Sequence, residues 1–178
     1  MGEKYNAKVL RIHSMISIRK TTADDVKTLW EIERAAFLPL FEKYRDSGNP
    51  ALRDETDISR RIGGEYFSCF TILFEEKIVG GLWYKIKGAC VEEENLGDGK
   101  YYLQRVFIDP SFQSRGIAQK AILLSEAYFE DAKILYVDFP EDLAKNRRCY
   151  EKAGYRDTGK RVPVQEGLVL ACFEKKIG

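Results

Sequence analysis

Val106-Phe107-Ile108-Asp109-Pro110-Ser111-Phe112-Gln113-Ser114-Arg115-Gly116-Ile117-Ala118 is the stretch that decides the fold. Val106, Phe107 and Ile108 favour a strand. Pro110 cannot donate to a sheet ladder, so the strand is expected to end there. From Ile117 the apolar residues fall at Ile117, Ala118, Ala121, Ile122, Leu124 and Ala127, which is the spacing of one helical face. Gly116 therefore stands in the first turn of a helix that follows a strand. Backbone N–H groups at such a turn have no partner within the helix, and an anion can dock on them. A residue without a side chain lets the anion come close.

Outward from this stretch the chain alternates strand and helix patterns. Toward the C-terminus, residues 134–139 read as a strand stopped by Pro140. A helix follows over 141–153 with Gly154 as its left-handed cap. Residues 155–160 and 168–175 form a hairpin. Toward the N-terminus, residues 101–108 are the central strand. The glutamate-rich tract 91–100, with Glu92, Glu93 and Glu94, reads as an exposed connection. Residues 66–74 and 78–86 pair across the turn Glu75-Glu76-Lys77. Further back, a loop and a short helix near 52–62 are broken by Gly63-Gly64. A helix with its apolar face at Val26, Leu29, Trp30, Ala36 and Phe37 is expected to close at Pro39. Thr22-Ala23-Asp24-Asp25 resembles its N-cap, and residues 16–20 alternate as a first strand. The order is β-α-α-β-β-β-α-β-α-β-β, which composition alone would place only as α/β with a mixed sheet.

The 178 residues suit one domain with one core. With 29 basic and 28 acidic side chains the net charge is +1, which argues against a general nucleic-acid or membrane-surface binder. No run has the length of a membrane span, and no secretion-signal pattern opens the chain. Cys69, Cys90, Cys149 and Cys172 lack a Cys-x-x-Cys spacing. They are expected to be reduced and buried, as in a cytoplasmic protein, and no metal site is expected. His13 is the only histidine. It precedes the first clear element, which disfavours Ser-His-Asp, Cys-His and histidine–metal chemistry. Residues 1–14 read as an N-terminal extension open to disorder, with Met15 an alternative start, and residues 15–178 as the domain.

Gln113-x-x-Gly116-x-Ala118 resembles the phosphate loop of the GNAT superfamily of acyl-CoA-dependent N-acyltransferases, and Ile108-Asp109-Pro110 precedes it as in that family. Asn146-Arg147-Arg148-Cys149-Tyr150-Glu151-Lys152-Ala153-Gly154-Tyr155 resembles the family's second signature, a helix ending Tyr-Glu-Lys-x-Gly-aromatic. The resemblance covers roughly residues 16–175. It implies a single-domain GNAT fold, a mixed sheet of about seven strands flanked by helices. It also implies an enzyme that moves an acetyl group from acetyl-CoA to a primary amine of a small molecule or peptide, by direct attack in a ternary complex. A protein N-terminus or lysine as acceptor, or a CoA-binding module without turnover, are the alternatives; a homodimer is left open.

By the same resemblance, amides from Gln113 through Ser114, Arg115, Gly116 and Ile117 to Ala118 hold the cofactor's pyrophosphate. Main-chain groups of Val106, Phe107 and Ile108 pair with the pantetheine arm. Tyr150 matches the family's tyrosine acid; a phenol, with a pKa of roughly 10, can protonate a thiolate whose acid has a pKa of roughly 8.5. The sequence departs from the family at two positions. Tyr102 stands where many relatives keep a glutamate base, which leaves the base open among a water chain, Glu94 and Asp138. Leu143 stands where relatives have a CoA-contacting asparagine, and Asn146 is the substitute expected on a neighbouring part of the helix. Tyr101, Tyr102 and Tyr155 are expected to be packing or strand residues.

Overall fold

In the computed structural model, which describes residues 14–178, seven strands make one sheet. They are β1 (Ile16–Lys20), β2 (Phe67–Phe74), β3 (Lys77–Lys85), β4 (Lys100–Ile108), β5 (Ile134–Pro140), β6 (Arg156–Gln165) and β7 (Leu168–Lys176). Their order is β1-β2-β3-β4-β5-β7-β6. Only β4 and β5 pair in parallel. The helices are α1 (Val26–Tyr44), α2 (Thr56–Gly63), α3 (Ile117–Glu126) and α4 (Ala144–Lys152). Leu29, Ile32 and Ile58 of α1 and α2 pack on Cys69, Trp83 and Phe107 on one face of the sheet. Ile117, Ala121 and Ile122 of α3 and Tyr150 of α4 pack on Leu103, Leu135, Val137 and Phe173 on the other. The expected extension over residues 1–14, with His13, lies almost wholly outside the described residues.

Strand β4 departs from strict alternation. Leu103 joins the α3/α4 core and Phe107 the α1/α2 core, although residues four apart in a regular strand share a face. The register with β3 explains this. Trp83 faces Arg105 and Tyr84 faces Leu103, so Gln104 is an extra residue, a β-bulge. Buried ions hold the bulge from the α1/α2 side. Arg105 Nη1 lies 3.0 Å from both Glu33 Oε1 and Asp57 Oδ2. Arg61 binds Asp57 through Nε at 3.2 Å and donates from Nη1 to Gln104 Oε1.

The bend separates β4 from β5. Their pairing covers only Lys100–Ile134, Tyr101–Leu135 and Tyr102–Tyr136. Beyond that point β5 continues along β7 as far as Pro140–Leu170, while β4 stays with β3. The sheet is forked there.

Three expected boundaries are corrected. Helix α1 runs through Pro39 to Tyr44 rather than closing at the proline. Its last turn is tied down by tertiary contacts: the Tyr44 hydroxyl donates to Asp142 Oδ1 at 2.5 Å, Lys43 reaches Asp142 at 2.7 Å, and Gln165 donates to the Tyr44 carbonyl at 2.6 Å. These contacts outweigh the loss of one helical hydrogen bond at the proline. Helix α3 ends at Glu126, one residue short of Ala127, the last position of its expected apolar face, and β6 extends to Gln165, past the expected end at 160, because β7 pairs along it. The four cysteines are free as expected, but Cys90 and Cys149 are half-buried rather than buried.

Asp25 fixes the start of α1. Its carboxylate accepts two bonds from Arg19, at 2.6 and 2.8 Å, one from Thr71 Oγ1 at 3.0 Å and one from the Thr22 N–H at 2.9 Å. The Arg19 guanidinium holds this carboxyl well below the usual range. Arg19 is 43% exposed, so solvent screening limits the net gain. Asp25→Asn is expected to cost about 1–2 kcal/mol at pH 7. The native pKa lies below the unfolded value of about 3.9, so this contribution is complete above that pH and is lost as pH falls further. Urea titrations are expected to show the wild-type advantage at pH 7 shrinking toward pH 2; an advantage constant with pH would contradict the assignment.

Candidate active site

The loop after β4 is built to present backbone N–H groups. Residues Pro110–Phe112 make one 3-10 turn, started by Asp109, whose carboxylate accepts the Ser111 N–H at 2.8 Å. Gln113 Nε2 donates to the Ile108 carbonyl at 2.9 Å and draws the loop back to the strand end. Ser114 and Gly116 then take left-handed conformations, with φ of 63° and 76°. Gly116 is the N-cap of α3. The Lys120 N–H bonds the Gly116 carbonyl at 3.1 Å, so the amides of residues 117–119 have no carbonyl within the helix. Unpaired amides at the positive end of a helix make an anion cradle.

The cradle opens into a cleft of about 670 Å³ between α1 and α4, running along the open end of the fork. Of the residues singled out from the sequence, Val106, Phe107, Ile108, Gln113, Ser114, Gly116, Ile117, Ala118, Asn146 and Tyr150 all line it. Arg115 does not: its Nη2 donates to the Ser111 carbonyl at 3.0 Å and its guanidinium lies over the Phe112 ring. Leu143 and Asn146 line the cleft together, as their three-residue spacing suggests. Along the fork, the β5-facing edge of β4 beyond Tyr102 has no strand partner. An extended ligand laid there would complete the ladder.

Tyr150 is 6% exposed. Its ring stacks on Phe139 with centroids 5.1 Å apart and meets Tyr155 edge-on at 5.9 Å. Lys175 steadies the end of α4, bonding the Ala153 carbonyl at 2.9 Å and Glu126 at 2.7 Å. The Tyr150 hydroxyl bonds to no other described residue. Burial holds its phenol above the usual range, so it carries its proton at neutral pH.

Tyr102 is a residue of β4, as expected from the sequence, and it also makes a polar contact. Its hydroxyl donates to Asp138 Oδ2 at 2.9 Å across the point where β4 and β5 part. Burial raises both groups above their ordinary values. Sequence reasoning placed Ala36 on the apolar face of this helix but did not assign it, or Ala35, Pro39 and Leu40, to the cleft; Leu40 lay beyond the expected end of the helix at the proline. It also passed over Lys145, Arg148 and Lys152, although spacings of three and four would have put them on one side of α4. Among the described residues no cluster could hold a metal ion, and no helix is long and apolar enough to cross a membrane.

A forked α/β sheet with an anion cradle at the mouth of the fork defines a transferase of the acyl-CoA type, and the comparisons agree. The family model described as Acetyltransferase (GNAT) family matches residues 26–155. The chain belongs to this family and is an acyltransferase. No curated protein sequence matches it. Among solved structures, it is similar to a PaiA N-acetyltransferase from Thermoplasma acidophilum in complex with coenzyme A. The TM-score is 0.60 at 16% identity, covering 91% of this chain and 99% of that one. It is also similar to the ribosomal-protein-S18-alanine N-acetyltransferase of Escherichia coli, with TM-score 0.65, 15% identity and coverage of 92% and 95%. A third is the aminoglycoside acetyltransferase AAC(6')-Ib in complex with coenzyme A and kanamycin, with TM-score 0.68, 15% identity and coverage of 90% and 94%.

A side chain at Gly116 would meet both the left-handed backbone and any anion in the cradle. Gly116→Val is expected to weaken coenzyme A binding about tenfold or more, a loss of about 1.4 kcal/mol per decade, read by calorimetry on folded protein. Unchanged affinity would refute the cradle.

Proposed function

We propose that this protein transfers an acetyl group from acetyl-CoA, its cosubstrate, to a primary amine of a small molecule or peptide by direct attack in a ternary complex. The observation that carries this reading is the convergence on one cleft of the anion cradle, the unpaired edge of β4 and the Tyr150 hydroxyl.

The amides from Gln113 to Ala118 receive the pyrophosphate. Lys145, Arg148 and Lys152, which line the same cleft, give its α4 wall a positive charge suited to the cofactor's phosphates. The pantetheine arm lies along Val106, Phe107 and Ile108 as an added strand, which places the thioester in the fork. A β4 N–H there can polarise the thioester oxygen as negative charge develops on it. Asn146 supports the cofactor from α4.

Tyr150 then protonates the leaving thiolate. Its environment keeps it a phenol until the C–S bond breaks, as a general acid requires. Direct attack is favoured over an acyl-enzyme because the one thiol lining the cleft, Cys149, is pushed by burial to about 11 and stays unreactive at neutral pH. The acceptor reaches the thioester beside α1, whose Phe37 and Leu40 line the cleft.

Tyr150→Phe tests the central role. Removal of the acid is expected to lower kcat about 100-fold and leave the acetyl-CoA dissociation constant within about twofold, measured by steady-state kinetics and calorimetry. Unchanged turnover, or parallel loss of binding and turnover, would remove Tyr150 from the acid role.

A further inference from the structure

The cleft accounts for the thioester side of the fork and leaves the opposite side unexplained. Asp138 lies between Val137 and Phe139, which join the α3/α4 core, so its side chain points to the α1/α2 face. Tyr102 points the same way, between Tyr101 and Leu103. Their hydrogen bond spans the crotch of the fork, just beyond the last β4–β5 pair. Tyr150 approaches the fork from the other face.

The surroundings of Asp138 are poor in compensating charge. From β4 it meets the Tyr102 hydroxyl, from the connection before β4 it meets Glu92 and Cys90, and from β7 Cys172 stands directly across from it. Tyr136 shares its face of β5, and the Tyr150 phenol is near it on α4. Lys160 of β6, whose charge is felt at Cys172, is turned to the Val91 carbonyl at 2.5 Å. No described cation pairs with Asp138, and Glu92 Oε1 is buried without a partner. A half-buried carboxylate without a counter-ion costs stability, and structure alone gives no reason for it.

We propose that Asp138, through the Tyr102 hydroxyl that it orients, takes the proton from the ammonium group of the acceptor, which reaches the fork from the α1/α2 face. This assignment rests on the acetyl-transfer reading above. An alkylamine at pH 7 holds its proton by about three pK units, roughly 4 kcal/mol, so a base at this place has work to do. The ammonium gives one proton to the Tyr102 oxygen while the Tyr102 proton passes to Asp138. The freed nitrogen lone pair forms the N–C bond to the thioester carbonyl, and the C–S bond breaks. The departing thiolate takes the Tyr150 proton, and the second nitrogen proton restores Tyr150. The proton on Asp138 leaves to solvent, so the products are the amide, coenzyme A and one proton. Burial and the Glu92 charge raise Asp138, which brings it nearer to working pH as an acceptor.

The test compares two nucleophiles in the full-length wild type and Asp138→Asn: n-butylamine, which is protonated at pH 7, and hydroxylamine, which is largely neutral and needs no base. Asp138→Asn keeps a hydrogen-bond partner for Tyr102, so folding and acetyl-CoA affinity are expected to be retained. The kcat/KM with butylamine is expected to fall about 100-fold, and that with hydroxylamine to stay within about threefold. Tyr102→Phe removes the relay itself, so its kcat/KM with butylamine is expected to fall about as far as that of Asp138→Asn while that with hydroxylamine is retained. Equal losses with both nucleophiles, no loss with either, or a Tyr102→Phe variant that keeps its butylamine rate would overturn the assignment. A wild type that binds acetyl-CoA and acetylates neither nucleophile would instead overturn the transferase reading, and this assignment with it.

Discussion

One edge of backbone governs this molecule. From Leu103 onward β4 faces β5 across a gap, and its N–H and C=O groups on that side meet no strand. Buried backbone groups without partners are costly, and proteins avoid them unless something else is to be bound. The gap is held open on purpose. The Gln104 bulge turns β4, and Arg105, Glu33, Asp57 and Arg61 clamp the bulge from the α1/α2 side. Opposite, β3 comes so close that a Cβ on Gly80 would stand 2.1 Å from the Phe107 carbonyl oxygen. The strand is thus fixed on both sides, and β5 is drawn away along β7.

The fork also sorts the chemistry. A continuous sheet would separate its two faces completely, and only where the strands part can a group on one face reach a group on the other. Tyr150 belongs to the α3/α4 face, beside the cradle that starts α3, and the Tyr102–Asp138 pair to the α1/α2 face. In the proposed mechanism the base acts on the attacking nitrogen and the acid on the departing sulfur, and the sheet keeps the two from neutralising one another. Their shared burial raises both phenols and the carboxylate, which favours protonated tyrosines and a more basic Asp138.

Much of this was legible in the sequence where the chemistry is local. The strand, proline, glycine and helix of residues 106–118 can be read from residue types alone, and so can the cap of α1 at Thr22 and Asp25. Tyr150 and Asn146 were singled out only through the resemblance of residues 146–155 to the family's second signature. What was not legible depends on distant contacts. Pro39 signals a stop, and only Asp142 and Gln165, about a hundred residues away, show why α1 continues. A bulge at Gln104 has no pattern of its own: residues 100–108 do not alternate polar with apolar, and the flip appears only when Arg105 finds Glu33. The pairing of Tyr102 with Asp138 likewise needs the register of β4 against β5.

Hydrogen exchange along β4, with and without saturating acetyl-CoA, tests the central claim most directly. If the cofactor completes the open ladder, amides between residues 103 and 108 on the β5-facing edge become strongly protected on binding, together with those of residues 115–119. Acetyl-CoA that binds and leaves the β4 amides unchanged would contradict the account, because the unpaired edge would then serve some other purpose.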